Sequence, residues 1–199
     1  TKRLHIFCLG VGNVGGTMVN QILAQQDDLL EHRGIDLAII GMANSKKLRF
    51  DPSGIRGVDW LECLRADGDA SNPESFVQRI IDMDLENSVL VDNTASADAS
   101  AVYEMALGHS IAVVASNKIA ASDAMPRYLG LKELALEHGV EFRFETNVGA
   151  GLPLIDTIQN QMQSGDKIHK IEAVLSGTLN YVFSNFNAST TFSSVIVKA

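Results

Sequence analysis

The sequence predicts an α/β fold whose main domain is built on a doubly wound, mostly parallel sheet. Strand-length apolar runs alternate with longer stretches in which apolar residues recur at helical spacing. The apolar runs are short and almost continuously hydrophobic, as is typical of parallel strands buried on both faces. A glycine-rich turn directly follows the first run. Together these observations predict repeated βαβ units.

Composition and charge narrow the class of protein. The chain has 199 residues, 46% hydrophobic and 20% charged, which is typical of an ordinary globular protein with one full domain and part of a second. A net charge of -8 argues against binding to nucleic acid or to an anionic membrane surface. No apolar run approaches the ~18 residues of a membrane span. Cys8 and Cys63 lack metal-ligand spacing, and two such thiols indicate a reducing, cytoplasmic environment.

The predicted elements follow in order along the chain. Strands are predicted at 4–9, 37–42, 89–91, 111–115 and 140–144, and helices around 14–23, 76–81 and 128–135. Residues 51–72 are interpreted as a surface excursion that carries one short helix around Trp60. Farther along the chain we expect a helix at 154–162, a strand at 168–175, a turn at 176–178, a helix at 179–186 and a polar loop at 187–194.

These elements predict two domains. Residues 1–148 are predicted to form a doubly wound domain of the Rossmann type, and residues 149–199 to begin a second domain. About fifty residues are too few to close a domain of typical size, so the second domain is expected to be incomplete.

The glycine turn carries the strongest local signal. Gly10, Gly12 and Gly15 occur as GVGNVG between the first strand and the first helix. In this setting the first glycine allows a tight turn, the second lets the backbone approach a pyrophosphate, and the third lets helix and strand pack closely. The helix N-terminus then offers free N–H groups to the phosphates. The alternative is a glycine-rich turn that binds nothing.

The end of the second strand predicts which dinucleotide is bound. NAD-selective sites place a carboxylate there, and this chain has Ser45 and Lys46 instead. These side chains can accept the 2′-phosphate of NADP, although a solvated loop explains them equally well. For Lys47 and Arg49 the solvated loop is the favoured interpretation.

Two further strand ends point to the same crevice. Thr94 and Ser96 follow the third predicted strand and can contact the nicotinamide ribose or carboxamide, or cap the next helix. Lys118 follows the fourth strand and can polarise a carbonyl or neutralise a substrate carboxylate. An exposed loop lysine is an equally good explanation of that residue.

A glycine stretch, ETNVGAGLP, runs from Glu145 to Pro153. Its glycines allow backbone angles that can turn several carbonyl groups toward a cation beside the Glu145 carboxylate. From the residues alone, a hinge between domains is the favoured interpretation.

Six segments taken together resemble a known family. GVGNVG, MANSKK, DNTAS, NKIA, ETNVGAGLP and LSGTLNYVF occur in this order. The chain resembles homoserine dehydrogenases from about Arg3 to Ser194. Its MANSKKLRF stretch and Trp60 region are most similar to the dehydrogenase half of the bifunctional aspartokinase–homoserine dehydrogenases. The resemblance implies an oxidoreductase of threonine and methionine biosynthesis, a homodimer or higher oligomer, that reduces L-aspartate 4-semialdehyde to L-homoserine with NADPH or NADH.

The resemblance also implies that residues 1–148 are a dinucleotide-binding domain and that residues 149–199 begin an α+β catalytic and dimerisation domain. It further implies roles for individual residues. It assigns Lys118 to the crevice between cofactor and substrate, and it assigns Gly177 and Thr178 to the substrate site. It overrides the hinge interpretation with a monovalent cation such as sodium, held largely by backbone carbonyls. The cation ligands it implies are Glu145, Val148, Ala150 and Leu152, and the cofactor residues are Gly10, Gly12, Asn13, Val14, Ala43 and Thr94.

One departure from the family and two alternatives accompany this interpretation. The family's later GYTEPDP-like and DVARK-like runs, which supply a substrate-binding carboxylate and a proton-donating lysine, do not occur here, so we expect incomplete catalytic machinery. An aspartate-semialdehyde dehydrogenase would need a nucleophilic cysteine, and neither Cys8 nor Cys63 follows a strand at the crevice. A module that binds NAD(P) without turnover is the alternative from another class.

Overall fold

The computed structural model describes residues 1–70 and 72–199. The chain divides into two compact units, Thr1–Phe144 and Glu145–Ala199, and the domain boundary predicted from the sequence lies after Val148. In the described part of the first unit, one sheet contains seven strands: β1 (Lys2–Leu9), β2 (Ile35–Ala43), β3 (Lys47–Phe50), β4 (Asp69–Ala70), β5 (Ser88–Asp92), β6 (Ala112–Ala115) and β7 (Phe142–Arg143).

Helices account for most of the remaining chain. The first unit contains α1 (Asn13–Arg33), α2 (Trp60–Asp67), α3 (Pro73–Met83), α4 (Ala97–Ser100), α5 (Tyr103–Leu107) and α6 (Met125–Glu137). The second unit contains α7 (Ile155–Gln163), α8 (Gly177–Asn185) and α9 (Phe192–Lys198). None of the helices formed by residues 1–70 and 72–199 is long and apolar enough to cross a membrane.

The strand order is β4-β3-β2-β1-β5-β6-β7. The five strands β2, β1, β5, β6 and β7 are parallel, which confirms the predicted doubly wound sheet. Successive residues of β1 point to opposite faces, so Phe7 packs in a core with α3, α5 and α6. Cys8, the next residue, packs on the other face with Val19 of α1 and Leu64 of α2. Both faces are therefore covered by helices.

The solvated loop expected at Lys47 and Arg49 is wrong. These residues belong to β3, which pairs antiparallel with β2, and Leu48 between them is buried. The Asn44 Oδ1 accepts hydrogen bonds from the Lys46 and Lys47 N–H groups, both at 2.8 Å, and so closes a tight turn between the strands. The predicted excursion at 51–72 therefore follows directly after β3 and contains β4 near its end, and α2 confirms its predicted helix.

The strand predicted at 168–175 is also wrong. None of these residues lies in a helix or a strand, and all of them are exposed. A strand needs a partner for its N–H and C=O groups, and the described residues of the second unit form no sheet that could supply one.

Two helix starts in the second unit were predicted as turn or loop. The Ser176 Oγ accepts from the Leu179 N–H (3.1 Å), so α8 begins at Gly177 within the expected turn. The Thr191 Oγ1 accepts from the Ser194 N–H (3.3 Å), and α9 begins inside the expected polar loop. Both starts use hydroxyl side chains as N-caps, a signal that is present in the sequence.

Candidate functional site

A cleft of about 670 Å³ opens in the first unit where β1, β2 and β5 end. Ligands of open α/β sheets bind at the carboxyl ends of the parallel strands, where the strand order reverses. The cleft is lined by the glycine turn, the first turns of α1, the β2–β3 turn, α2 and the segment after β5: Gly10, Val11, Gly12, Asn13, Gly16, Thr17, Asn20, Asn44, Ser45, Lys46, Trp60, Leu61, Arg65, Asn93 and Thr94.

The three glycines of the turn are required for different reasons. Gly10 has φ +87°, and a Cβ there would lie 2.6 Å from Thr94 Cγ2. A Cβ at Gly15 would overlap the carbonyl oxygen of Gly10. A Cβ at Gly12 would meet no atom within 4 Å, although Gly12 lines the cleft. The fold itself therefore explains the first and third glycines but not the second.

The N-terminus of α1 lies beside Gly12 and has no side-chain cap. Gly12 occupies the N-cap position, and the first turn of the helix contains no acidic residue. The backbone N–H groups at this end carry a partial positive charge and suit a phosphate. The Gly10 N–H donates to the carbonyl oxygen of Ala43 (2.9 Å). Ala43 is buried at the end of β2, so this bond holds the glycine turn against the sheet.

The wall on the β2 side is cationic. Ser45 and Lys46 lie on it, and α2 adds Trp60 and Arg65, which were not selected from the sequence. The Trp60 Nε1–H donates to Asn20 Oδ1 (2.9 Å) and so fastens α2 to α1. The cleft lining contains no Asp or Glu in the part of the chain that the structure describes. Leu61 and Arg65 are four residues apart in the sequence, and this spacing predicts that they share one face of α2.

The wall on the β5 side is organised by a buried carboxylate. Asp92 is fully buried, and its Oδ1 accepts from the Thr94 N–H at 2.7 Å. Its Oδ2 accepts from the Tyr103 hydroxyl (2.6 Å) and from Asn117 Nδ2 (3.0 Å). Burial and the Asp92 charge both raise the pKa of Tyr103, which keeps that hydroxyl protonated as a donor. Sequence reasoning missed this pairing because its partners are separated along the chain.

Asn117 joins the ends of β5 and β6. It is 2% exposed, and its Nδ2 also contacts Thr94 Oγ1 (3.2 Å) and the Ser96 carbonyl oxygen (2.9 Å). Its Oδ1 accepts from the Ile119 N–H at 3.0 Å. The Ser96 Oγ accepts from the Ala99 N–H (3.4 Å) and caps α4, one of the roles considered for it. The backbone on both sides of Lys118 is thus fixed.

The predicted cofactor residues fall into two groups. Gly10, Gly12, Asn13, Ser45, Lys46 and Thr94 line the cleft. Lys118 has an exposed side chain for which no hydrogen bond or ion pair is found within the described ranges. The other predicted residues outside the lining are Val14, Gly15, Ala43 and Ser96.

The predicted cation residues lie in one loop of the second unit. The two carboxylate oxygens of Glu145 accept the N–H groups of Ile155 (2.9 Å) and Asp156 (2.8 Å) at the start of α7. Ala150 adopts a left-handed conformation, with φ +53°. Among the residues described, no three His, Cys, Asp or Glu side chains group as metal ligands. Gly177 and Thr178, the predicted substrate residues, form the first turn of α8.

Comparison with known families decides the relationship. The family model described as homoserine dehydrogenase, NAD binding domain, matches residues 10–145, and the model described as homoserine dehydrogenase matches residues 153–199. The chain belongs to the homoserine dehydrogenase family. The predicted resemblance is therefore confirmed.

Individual relatives agree with this assignment. The chain is 38% identical over 197 residues to the chloroplastic bifunctional aspartokinase/homoserine dehydrogenase 1 of Arabidopsis thaliana, and it covers 22% of that protein. It is 30% identical to the homoserine dehydrogenase of Saccharomyces cerevisiae and covers 52% of it. The chain thus spans about a fifth of the bifunctional relatives and about half of the yeast enzyme.

Solved structures share the fold. A hyperthermophilic archaeal homoserine dehydrogenase in complex with NADPH aligns over the whole chain with a TM-score of 0.80 at 24% identity, and 60% of that protein is covered. A Candida auris protein of unknown function aligns over 99% of the chain with a TM-score of 0.81 at 24% identity, with 55% of it covered.

Proposed function

We propose that this chain binds NAD(P)H in the cleft and serves the reduction of L-aspartate 4-semialdehyde to L-homoserine. The observation that carries the proposal is Gly12. It faces open space in the cleft at an uncapped helix N-terminus, and packing alone does not require a glycine there. A pyrophosphate that approaches the backbone at this point would require it. The family assignment of residues 10–145 agrees with this role.

The cationic wall supports NADPH as the preferred cofactor. Lys46 and Arg65 line the cleft on the β2 side, and the lining described by the structure includes no carboxylate that would repel a 2′-phosphate. Ser45 adds a hydroxyl on the same wall. We therefore assign the adenosine half of the cofactor to this side.

When bound, NAD(P)H would supply the hydride that reduces the aldehyde carbon. The glycine turn would hold its phosphates, and Thr94 would face its nicotinamide half. Lys118 is assigned to the substrate side, where its ammonium group stabilises the alkoxide that develops on the former aldehyde oxygen. Gly177 and Thr178 are assigned to substrate binding. These roles rest on the family pattern together with the fixed backbone around Lys118.

A monovalent cation near Glu145 is proposed as well. The left-handed backbone at Gly149 and Ala150 supports it, together with the family pattern at Val148 and Leu152. If the proposal is correct, sodium chloride raises the melting temperature above that in choline chloride at equal ionic strength, and Glu145→Gln reduces the difference. Equal melting temperatures in the two salts would contradict it.

Self-association into a dimer is proposed on two grounds, the resemblance and the exposed apolar side chains of α8 and α9. Phe183 and Val197 are 66% and 86% exposed. Light scattering after size-exclusion chromatography tests this expectation, and a mass of one chain at micromolar concentration would oppose it.

Two measurements test the proposed function. NADPH fluorescence titrated with the chain reports cofactor binding, and oxidation of NADPH in the presence of L-aspartate 4-semialdehyde reports turnover by the whole protein. Binding together with semialdehyde-dependent oxidation supports the proposal. Binding without oxidation by the whole protein would instead support a module that binds the cofactor without turnover.

A further inference from the structure

The carboxylate of Asp92 is a buried charge with an unusual set of partners. It is fully buried at the end of β5, and all three of its side-chain hydrogen bonds come from neutral groups: the Thr94 N–H, the Tyr103 hydroxyl and the Asn117 amide. Within residues 1–70 and 72–199, no Lys, Arg or His forms an ion pair with it. Burying a carboxylate is unfavourable unless a cation or a set of donors compensates for the lost water.

The hydrogen-bond geometry around the carboxyl group is that of an acceptor. Both oxygens act only as acceptors, Oδ1 from one donor and Oδ2 from two. A protonated carboxyl group would need an acceptor for its own hydrogen. The arrangement therefore suits the ionised form, so a negative charge that is stabilised by neutral donors and has no cation as an ion-pair partner lies at the end of β5.

This charge lies directly behind the cleft wall. Asn93 and Thr94, the next two residues, both line the cleft, and the Thr94 N–H is bonded to the carboxylate itself. On the other side of the glycine turn, Ser45 and Lys46 form the wall assigned to the adenosine half. A dinucleotide whose pyrophosphate lies at α1 must extend its nicotinamide half toward β5.

The two redox forms of the cofactor differ in charge at that half. The nicotinamide ring carries a positive charge when oxidised and none when reduced, whereas the adenosine and phosphate groups are the same in both forms. A fixed negative charge behind the ring site therefore favours the oxidised form. At an effective dielectric constant of about 20, two unit charges roughly 10 Å apart change a binding constant by on the order of tenfold.

We propose that Asp92 is a positioning residue whose buried charge selects the oxidised over the reduced nicotinamide cofactor. This inference rests on the proposed function, because it requires NAD(P) in the cleft. During aldehyde reduction the same charge would stabilise the positive charge that develops on the ring as the hydride leaves. A neutral asparagine could still accept from the Thr94 N–H, so this bond to the cleft wall does not by itself require a charge.

The test compares dissociation constants for NADP⁺ and NADPH, measured by calorimetry and by fluorescence, in the wild-type chain and in Asp92→Asn. The asparagine keeps an oxygen for the Thr94 N–H, and its amide can donate to the Tyr103 hydroxyl, but it no longer accepts from Asn117 Nδ2. Loss of that bond is expected to weaken both nucleotides alike and to leave the ratio of their dissociation constants unchanged. We expect the variant to lose about tenfold in affinity for NADP⁺ relative to NADPH. If Asp92→Asn does not fold, Asp92→Ser is measured in its place, since its hydroxyl can still accept from Thr94.

Tyr103→Phe is the matched control, because it removes one hydrogen bond to the carboxylate and leaves the charge. We expect it to lower the melting temperature and to leave the ratio of the two dissociation constants within threefold of wild type. Equal weakening of both nucleotides in Asp92→Asn, or an equal shift of the ratio in Tyr103→Phe, would overturn the inference and leave the proposed function intact. If the wild-type chain binds neither nucleotide, both are overturned.

Discussion

Two glycines of one turn provide a test that separates folding from cofactor binding. Gly12 and Gly15 lie three residues apart at the start of α1, and alanine at each adds the same methyl group. At Gly15 the methyl group would overlap the Gly10 carbonyl oxygen, a backbone atom that cannot rotate away. At Gly12 it would enter open space in the cleft, with no atom within 4 Å apart from those of the adjoining backbone.

The expected magnitudes follow from these surroundings. Gly15→Ala forces β1 and α1 apart, and overpacking of this kind costs about 2–3 kcal/mol. In a unit of this size that lowers the melting temperature by about 5–10 °C. For Gly12→Ala, a reduced entropy of the unfolded chain offsets a slightly poorer N-cap, so the melting temperature changes by less than about 2 °C. Its methyl group displaces the pyrophosphate, and NADPH affinity falls at least about tenfold, or roughly 1.4 kcal/mol.

Differential scanning fluorimetry and NADPH titration on the two variants complete the assay. Gly15→Ala serves as the control for damage to the turn, since its effect on binding arises through folding and should diminish at low temperature. If Gly12→Ala binds NADPH within threefold of wild type, the glycine is not there for a phosphate and the cleft assignment is wrong. A stable Gly15→Ala variant would show instead that the turn can relax.

Three further predictions concern single side chains. We expect the wild-type chain to bind NADPH at least as tightly as NADH, and a preference for NADH above about tenfold would refute this. Lys46→Ala and Arg65→Ala should each lower the affinity for NADPH about tenfold and change the affinity for NADH little. If the Lys118 ammonium group stabilises the alkoxide, Lys118→Ala in the whole protein lowers kcat and kcat/KM together by about 10²- to 10³-fold. A rise in KM alone would indicate that Lys118 anchors the substrate. Kinetics within threefold of wild type would indicate that Lys118 is not involved. Burial raises the pKa of Cys8 to about 12. A thiol reagent at pH 8 should therefore modify only the partly exposed Cys63 in the native chain and both cysteines after denaturation. Two reactive thiols in the native chain would contradict the burial of β1.

The parallel core and the glycine turn could be predicted from sequence because each is a local pattern with one physical meaning. A continuous apolar run such as β1 fits a strand buried on both faces, and the spacing of Gly10, Gly12 and Gly15 fits a strand–turn–helix junction. The structure adds that only the middle glycine lacks a reason within the fold.

The errors and omissions share a different cause, which is dependence on distant partners. The four residues of β3 form a strand because β2 offers an open edge, whereas residues 168–175 have a similar pattern and no partner strand in the described part of the second unit. The bond between Asp92 and Asn117 joins residues 25 positions apart in sequence. No local pattern reveals such a pairing, so the polar network behind the cleft could only be found in the folded chain.

The two edges of the seven-stranded sheet have a consequence for how copies of the chain meet. The outermost strands, β4 and β7, are each two residues long, and each carries a charged residue, Asp69 or Arg143. Long, flat, apolar edges invite strands from other molecules to pair with them and are a common route to aggregation. Edges this short expose few unpaired backbone groups, and their charges resist burial. The sheet therefore offers little template for uncontrolled growth, even in a chain whose centre is built almost entirely from apolar strands.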